Sequence, residues 1–225
     1  MISRNQCLLM IGMIFAGAAF GGAFYNTMPD PAPTHWNLKG EIDGYGPRWV
    51  AAFLMPIIAT GLMALLAGLP LLGPFRENFM RFRVTYGRIC VAVLTLIMAI
   101  HAVFVLGATG RTMQIGATLS IILGLMLAVL GNYMGKVRRN FYVGIRTPWT
   151  LANEVVWERT HRVGSKIMVI VGLVIAAAGF FANDLVCFIV MMSSVGFLAA
   201  WSLLYSLMLY RRLGSRDDLN SPSKA

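Results

Sequence analysis

Residues 89–106 read Ile-Cys-Val-Ala-Val-Leu-Thr-Leu-Ile-Met-Ala-Ile-His-Ala-Val-Phe-Val-Leu, a run with no formal charge. Roughly 18 apolar residues suffice to cross the hydrocarbon of a bilayer as a helix. Five more runs of this kind flank it: Cys7–Tyr25, Trp49–Leu72, Met113–Met134, Ile167–Ala182 and Leu185–Tyr210. Hydrocarbon offers backbone amides no water, so each run predicts a helix. The fifth is short alone and reaches spanning length if its helix begins near Val163, ahead of Lys166. In the second, Pro70 predicts a helix end and Pro56 a kink. The first run follows Arg4 but exceeds the about 7–15 residues of a signal-peptide core, and reads as a retained helix. The expected fold is all-α, a polytopic membrane bundle of six transmembrane helices.

Composition agrees. The chain of 225 residues is 58% hydrophobic and 12% charged, against about 25% charged in a soluble domain. Orientation follows from Lys and Arg. With the N-terminus inside, sixteen of the nineteen fall on inside segments, and only Lys39, Arg48 and Arg111 fall outside. Positive residues gather on the cytoplasmic side, so both termini are expected in the cytoplasm. The net charge of +10 then implies anionic headgroups as partner rather than nucleic acid. Cys7, Cys90 and Cys187 form no C-x-x-C pair and read as small apolar residues.

Two units are expected along the chain. Residues 1–86 make a two-helix unit with an outside loop, 26–48. Residues 87–213 make a four-helix unit with a cytoplasmic segment, 135–166. The polar stretch 214–225 predicts a disordered tail. Gly17/Gly21 and Gly131/Gly135 are small-xxx-small pairs that permit close helix packing, within one subunit or in a homo-oligomer. His101 alone is ionisable well inside a span, and is expected to be neutral and bonded to a neighbouring helix or headgroup. Ion-coupled transporters usually place paired charges at such depth. A facilitative transporter would need a polar lining from scattered residues such as Thr60, Thr118, Ser120, Asn132 and Ser193.

The outside loop combines three early prolines with Gly40, Gly44 and Gly46, and Asp43-Gly44 is a strong turn signal. It should be compact. His35, Trp36, Asn37, Asp43 and Tyr45 make it either an interfacial cap or an outward recognition surface. In the cytoplasmic segment, Thr147-Pro148 opens a helix. Ala152, Val156, Arg159 and Val163 then share one face, and Glu154, Glu158 and His161 another, with Trp157 beside them. This predicts a short amphipathic helix near the inner membrane surface, leading into the fifth span, with Glu158 paired to Arg162. Arg146 is expected to tie the turn down through its fork of donors. Glu158-x-x-His161 has the spacing of half a di-metal site, but the topology offers no facing Glu and His to complete it. With no catalytic signature either, no metal, cofactor or enzymatic activity is expected. An enzyme would have to use Glu154, Glu158, His161 and Arg146.

The segment Asn140-Phe-Tyr-Val-Gly-Ile-Arg-Thr-Pro-Trp-Thr150 and its continuation Val156-Trp-Glu-Arg-Thr-His-Arg-Val-Gly164 resemble the signature of the SdpI family of bacterial membrane proteins. Pro33-Thr-His-Trp-Asn37 with Gly40 and Asp43-Gly-Tyr45 resembles an uncharacterised domain that often precedes it. The resemblance implies an immunity or signalling protein of the bacterial cytoplasmic membrane. It would meet an extracytoplasmic peptide toxin outside and hold a cytoplasmic repressor inside. On that reading Asn140, Gly144, Arg146, Thr147, Pro148, Trp149, Glu154, Trp157, His161 and Arg162 are the candidate inner contact residues.

Overall fold

The computed structural model describes residues 2–72, 76–111 and 113–220. Six helices are long and apolar enough to cross a membrane: α1 (Arg4–Phe24), α2 (Arg48–Leu72), α4 (Arg83–Ala108), α5 (Ile115–Met134), α7 (Glu154–Phe181) and α8 (Asp184–Asn220). Two short helices, α3 (Arg76–Arg81) and α6 (Pro148–Ala152), lie between spans. The chain is thus an α-helical polytopic membrane protein, as its apolar runs predict. It carries one small sheet that the expectation of an all-α fold did not include. Strands β1 (Ala32–Trp36) and β2 (Ile42–Gly46) form an antiparallel hairpin inside the loop read as compact.

The spans pack as two groups of three. Helices α1, α2 and α4 form one, α5, α7 and α8 the other, and α4 meets α5 between them. The third span therefore sits with the first two in space, although sequence organisation joins it to the later ones. Glycines set the close approaches. A Cβ on Gly21 would fall 2.0 Å from the Ala52 carbonyl oxygen, and one on Gly17 would fall 2.6 Å from Met98 Sδ. In the second group Gly124 and Gly172 face each other so tightly that a Cβ on either would lie 2.5 Å from the other's carbonyl oxygen. Both small-xxx-small pairs are thus used within the subunit, since Gly131 and Gly135 pack against α7 around Ser165.

Both prolines of α2 lie inside the helix, Pro56 in its first half and Pro70 in its last turn, near the end that was expected there. Each removes one backbone donor and so strands the carbonyl four residues earlier. The carbonyl stranded by Pro70 belongs to Leu66, and the Tyr86 hydroxyl of α4 donates to it at 2.6 Å. The bond that Pro70 cannot make along the helix is thus made between helices. His101 Nε2 donates to the Gly17 carbonyl of α1 at 2.9 Å, while its buried Nδ1 has no partner among the described residues. It holds a neighbouring helix, as expected.

Two further expectations are corrected. The amphipathic segment leads into the fifth span as expected, but not as one helix from Thr147: α6 ends after one turn, and the residues from Glu154 onward are the first turns of the spanning helix α7. Asn153 is the reason, because its extended backbone breaks the helix and its side chain then caps the next one, accepting from Val155 N and Val156 N. The tail is also not irregular throughout, since α8 continues to Asn220; residues 221–225 lie outside the described residues.

Candidate functional site: two faces of the bundle

The loops gather on two opposite faces. One carries the hairpin, the turn at 109–110 and the start of α8; the other carries Ser3, α3, α6 and the 135–153 segment.

On the hairpin face, the strands are closed by a turn that Asn37 organises. Its side-chain oxygen accepts from Lys39 N at 2.8 Å and Glu41 N at 3.0 Å, and its amide nitrogen donates to Glu41 Oε2. Gly40 has φ of +77°, which suits glycine. Trp36 points into the molecule and meets Phe104 edge-on, with centroids 5.3 Å apart. His35 and Asp43 point outward and are joined at 2.5 Å, and Tyr45 is exposed. Of the predicted outer residues, then, Trp36 and Asn37 anchor and shape the hairpin. His35, Asp43 and Tyr45 are presented. Between the hairpin tip and the starts of α5 and α8 lies a cavity of about 160 Å³, lined mainly by apolar residues with Asn37 and Asp184 among them.

Sequence reading passed over Asp184. Its carboxylate accepts from Ala117 N at 2.9 Å, in the first turn of α5, whose own N-cap residue Gln114 makes no side-chain cap. The same carboxylate lies against Gly40, leaving no room for a Cβ there. An acid one residue from the short turn between two spans was the available signal.

On the basic face, the signature folds as one hydrogen-bonded unit. Asn140 is fully buried and uses its whole amide: Nδ2 donates to the carbonyls of Arg138 and Val143, and Oδ1 accepts from Tyr142 N and Val143 N. Gly144 has φ of +120°, and a Cβ there would stand 2.4 Å from His161 Nε2. That nitrogen accepts from Ile145 N at 2.9 Å, while His161 Nδ1 donates to the Trp157 carbonyl at 2.8 Å. One ring nitrogen accepting and the other donating defines a neutral imidazole. His161 stacks on Trp157 with centroids 4.0 Å apart, and Trp157 Nε1 donates to the Val137 carbonyl. Thr147 and Thr150 form the predicted cap as a reciprocal box around Pro148, and the Thr147 hydroxyl reaches Ser206 of α8 at 2.9 Å.

The candidate inner contact residues therefore divide. Asn140, Thr147, Trp157 and His161 are buried and hold the fold of the segment, so they offer a partner no surface. Arg146, Pro148, Glu154 and Arg162 are exposed, and Trp149 is half-buried. Glu158 pairs with Arg138 rather than the expected Arg162, because the 135–138 turn lies across the start of α7. Arg146 donates through one guanidinium nitrogen to the Phe141 carbonyl, a contact that does not use the fork. Arg139 instead reaches a helix end, donating to the carbonyls of Leu151 and Ala152 at the close of α6.

A six-span membrane protein with a packed, motif-bearing basic segment is the class these features define. Residues 136–206 match the SdpI/YfhL protein family, and residues 12–60 match a domain of unknown function, DUF1648. The chain is 32% identical over 125 residues to the immunity protein SdpI of Bacillus subtilis (strain 168), a match covering 55% of this chain and 60% of that relative. It thus spans less than two thirds of the relative's length. No solved structure gives a significant match.

Proposed function

We propose that this chain is an immunity protein of a bacterial cytoplasmic membrane, resisting a peptide toxin that arrives from outside. The observation that carries the reading is the likeness to the immunity protein SdpI. Three features support it. The charge asymmetry favours the hairpin face as the outer one. That face presents His35, Asp43 and Tyr45 on a braced hairpin, and aromatic and charged residues on a constrained loop make recognition surfaces. The adjoining cavity, about 160 Å³, is close in size to one that accepts a benzene-sized group, and suits an apolar side chain of the peptide. On the basic face, exposed Glu154 and half-buried Trp149 would meet a cytoplasmic repressor if occupancy is signalled inward.

Expression in a toxin-sensitive bacterium tests this. The wild-type chain should restore growth in the presence of the peptide. A combined Asp43→Ala, Tyr45→Ala variant at normal membrane abundance should lose that protection, because both side chains are presented outward on the hairpin. Glu154→Ala should keep protection and lose only a reporter response. Survival unaffected by the outer substitutions would remove the hairpin from recognition.

A further inference from the structure

The two three-helix groups meet on the basic face around a cavity of about 400 Å³, to which Arg81, Thr85, Lys136, Arg138, Glu158 and Arg162 contribute. Arg81 and Thr85 come from the first group's α3 and α4. The other four come from the turn that follows α5 and from the start of α7. Four cations and one carboxylate give the cavity a net charge of +3. Glu158 is engaged by Arg138. Arg81, Lys136 and Arg162 have no carboxylate partner among the described residues. Like charges gathered in one concavity repel one another and hold a positive potential. The arrangement is relieved when an anion enters.

The cavity's level in the bundle narrows the choice of anion. Arg83 begins α4 and Met134 ends α5, so the site lies where spanning helices leave hydrocarbon. Phosphates of a bilayer leaflet lie at that level. Guanidinium groups match phosphate oxygens in geometry as well as charge. We propose that this cavity binds the phosphate-bearing headgroup of an anionic lipid. Arg81, Lys136 and Arg162 are its cationic ligands, and the Arg138–Glu158 pair is its fixed wall. A headgroup held there bridges the two groups of helices, so its occupancy bears on how they sit together. This rests on the cavity and its level in the bundle, not on the immunity reading, and its test needs no toxin.

The full-length chain, purified in neutral detergent and stripped of lipid, is titrated with phosphatidylglycerol, phosphatidylcholine and inorganic phosphate. Bound lipid is read by native mass spectrometry and stability by thermal unfolding. Phosphatidylglycerol should bind and raise the unfolding midpoint, while phosphatidylcholine should not. Basic residues near an anionic surface contribute about 1 kcal/mol each, so Arg81→Gln with Arg162→Gln should weaken that binding roughly thirtyfold. Arg4→Gln with Arg211→Gln removes the same charge away from the cavity and should leave binding nearly unchanged. Lys136→Gln alone, expected to weaken binding in the same direction, serves if the double variant does not insert. Equal losses in both double variants would reduce the effect to diffuse attraction and overturn the site. So would stabilisation by inorganic phosphate equal to that by phosphatidylglycerol, which would identify a free anion as the ligand.

Discussion

Gly144 carries a constraint that no other residue type meets. Its φ of +120° and the 2.4 Å from an added Cβ to His161 Nε2 act together, so Gly144→Ala must both strain the backbone and displace the histidine. Strain of this kind costs about 1–3 kcal/mol, and a buried amide left without its acceptor costs a similar amount. The variant should unfold at a clearly lower temperature in detergent. His161→Phe, which keeps the stacking volume and loses the acceptor for Ile145 N, should show a smaller drop; an unchanged midpoint for both would mean the loop is not held through this ring. Arg146 is the opposite case. The sequence pointed to a fork of donors, but a single bond to the Phe141 carbonyl can be made by an ammonium group. Arg146→Lys should therefore retain most of the stability that Arg146→Ala loses, as measured by thermal unfolding.

Among the elements, the pair α5 and α7 is the most tightly joined, and the join is backbone to backbone. A methyl group at Gly124 would lie 2.4 Å from Ala176 N and 2.5 Å from the Gly172 carbonyl oxygen, atoms that cannot turn aside. Gly124→Ala should force the helices apart and sharply lower the yield of folded protein. Gly196→Ala in α8, where an added Cβ meets nothing within 4 Å, should be nearly neutral. Size-exclusion profiles and unfolding midpoints of the two variants make the comparison, and equal behaviour would mean the α5–α7 contact is looser than described. Without hydrophobic attraction between spans in lipid, such close contact is the main source of their association. The hairpin is stabilised differently, by Trp36 against Phe104 and by Asp184, which serves the start of α5 and leaves Gly40 no room for a side chain.

For the whole molecule, the two faces make a prediction about sidedness. Single cysteines introduced at Lys39 and Arg111, on the hairpin face, should be labelled by an impermeant reagent from outside intact cells. Cysteines at Arg81 and Arg146 should react only after permeabilisation. Labelling of Arg146 from outside would invert the arrangement and with it the assignment of recognition and output. Should the sidedness hold, any signal from hairpin to basic segment must pass through rearranged helices, because no side chain spans about 30 Å of hydrocarbon. The junction between the two groups of three is the natural place for such a movement. Trp157, Val137, Phe82 and Tyr86 share one buried cluster across it.

The amino-acid sequence by itself determined the class of fold, because spanning a bilayer demands long uncharged runs and those are visible one residue at a time. It likewise determined which segments fall on the same face, because six spans alternate and Lys and Arg follow the alternation. It marked the Thr147-Pro148 helix start, a signal local to a few residues. Only the tertiary structure decided what those segments do with their side chains. Trp157 and His161 look like one face of a surface helix until the 135–153 segment folds over them. Glu158 has Arg162 in helical register and still pairs with Arg138. Trp36 and His35 are neighbours in sequence, and the strand pleat sends one into the bundle and the other outward. Each outcome depends on a contact between residues distant in sequence, and neither periodicity nor composition carries that information.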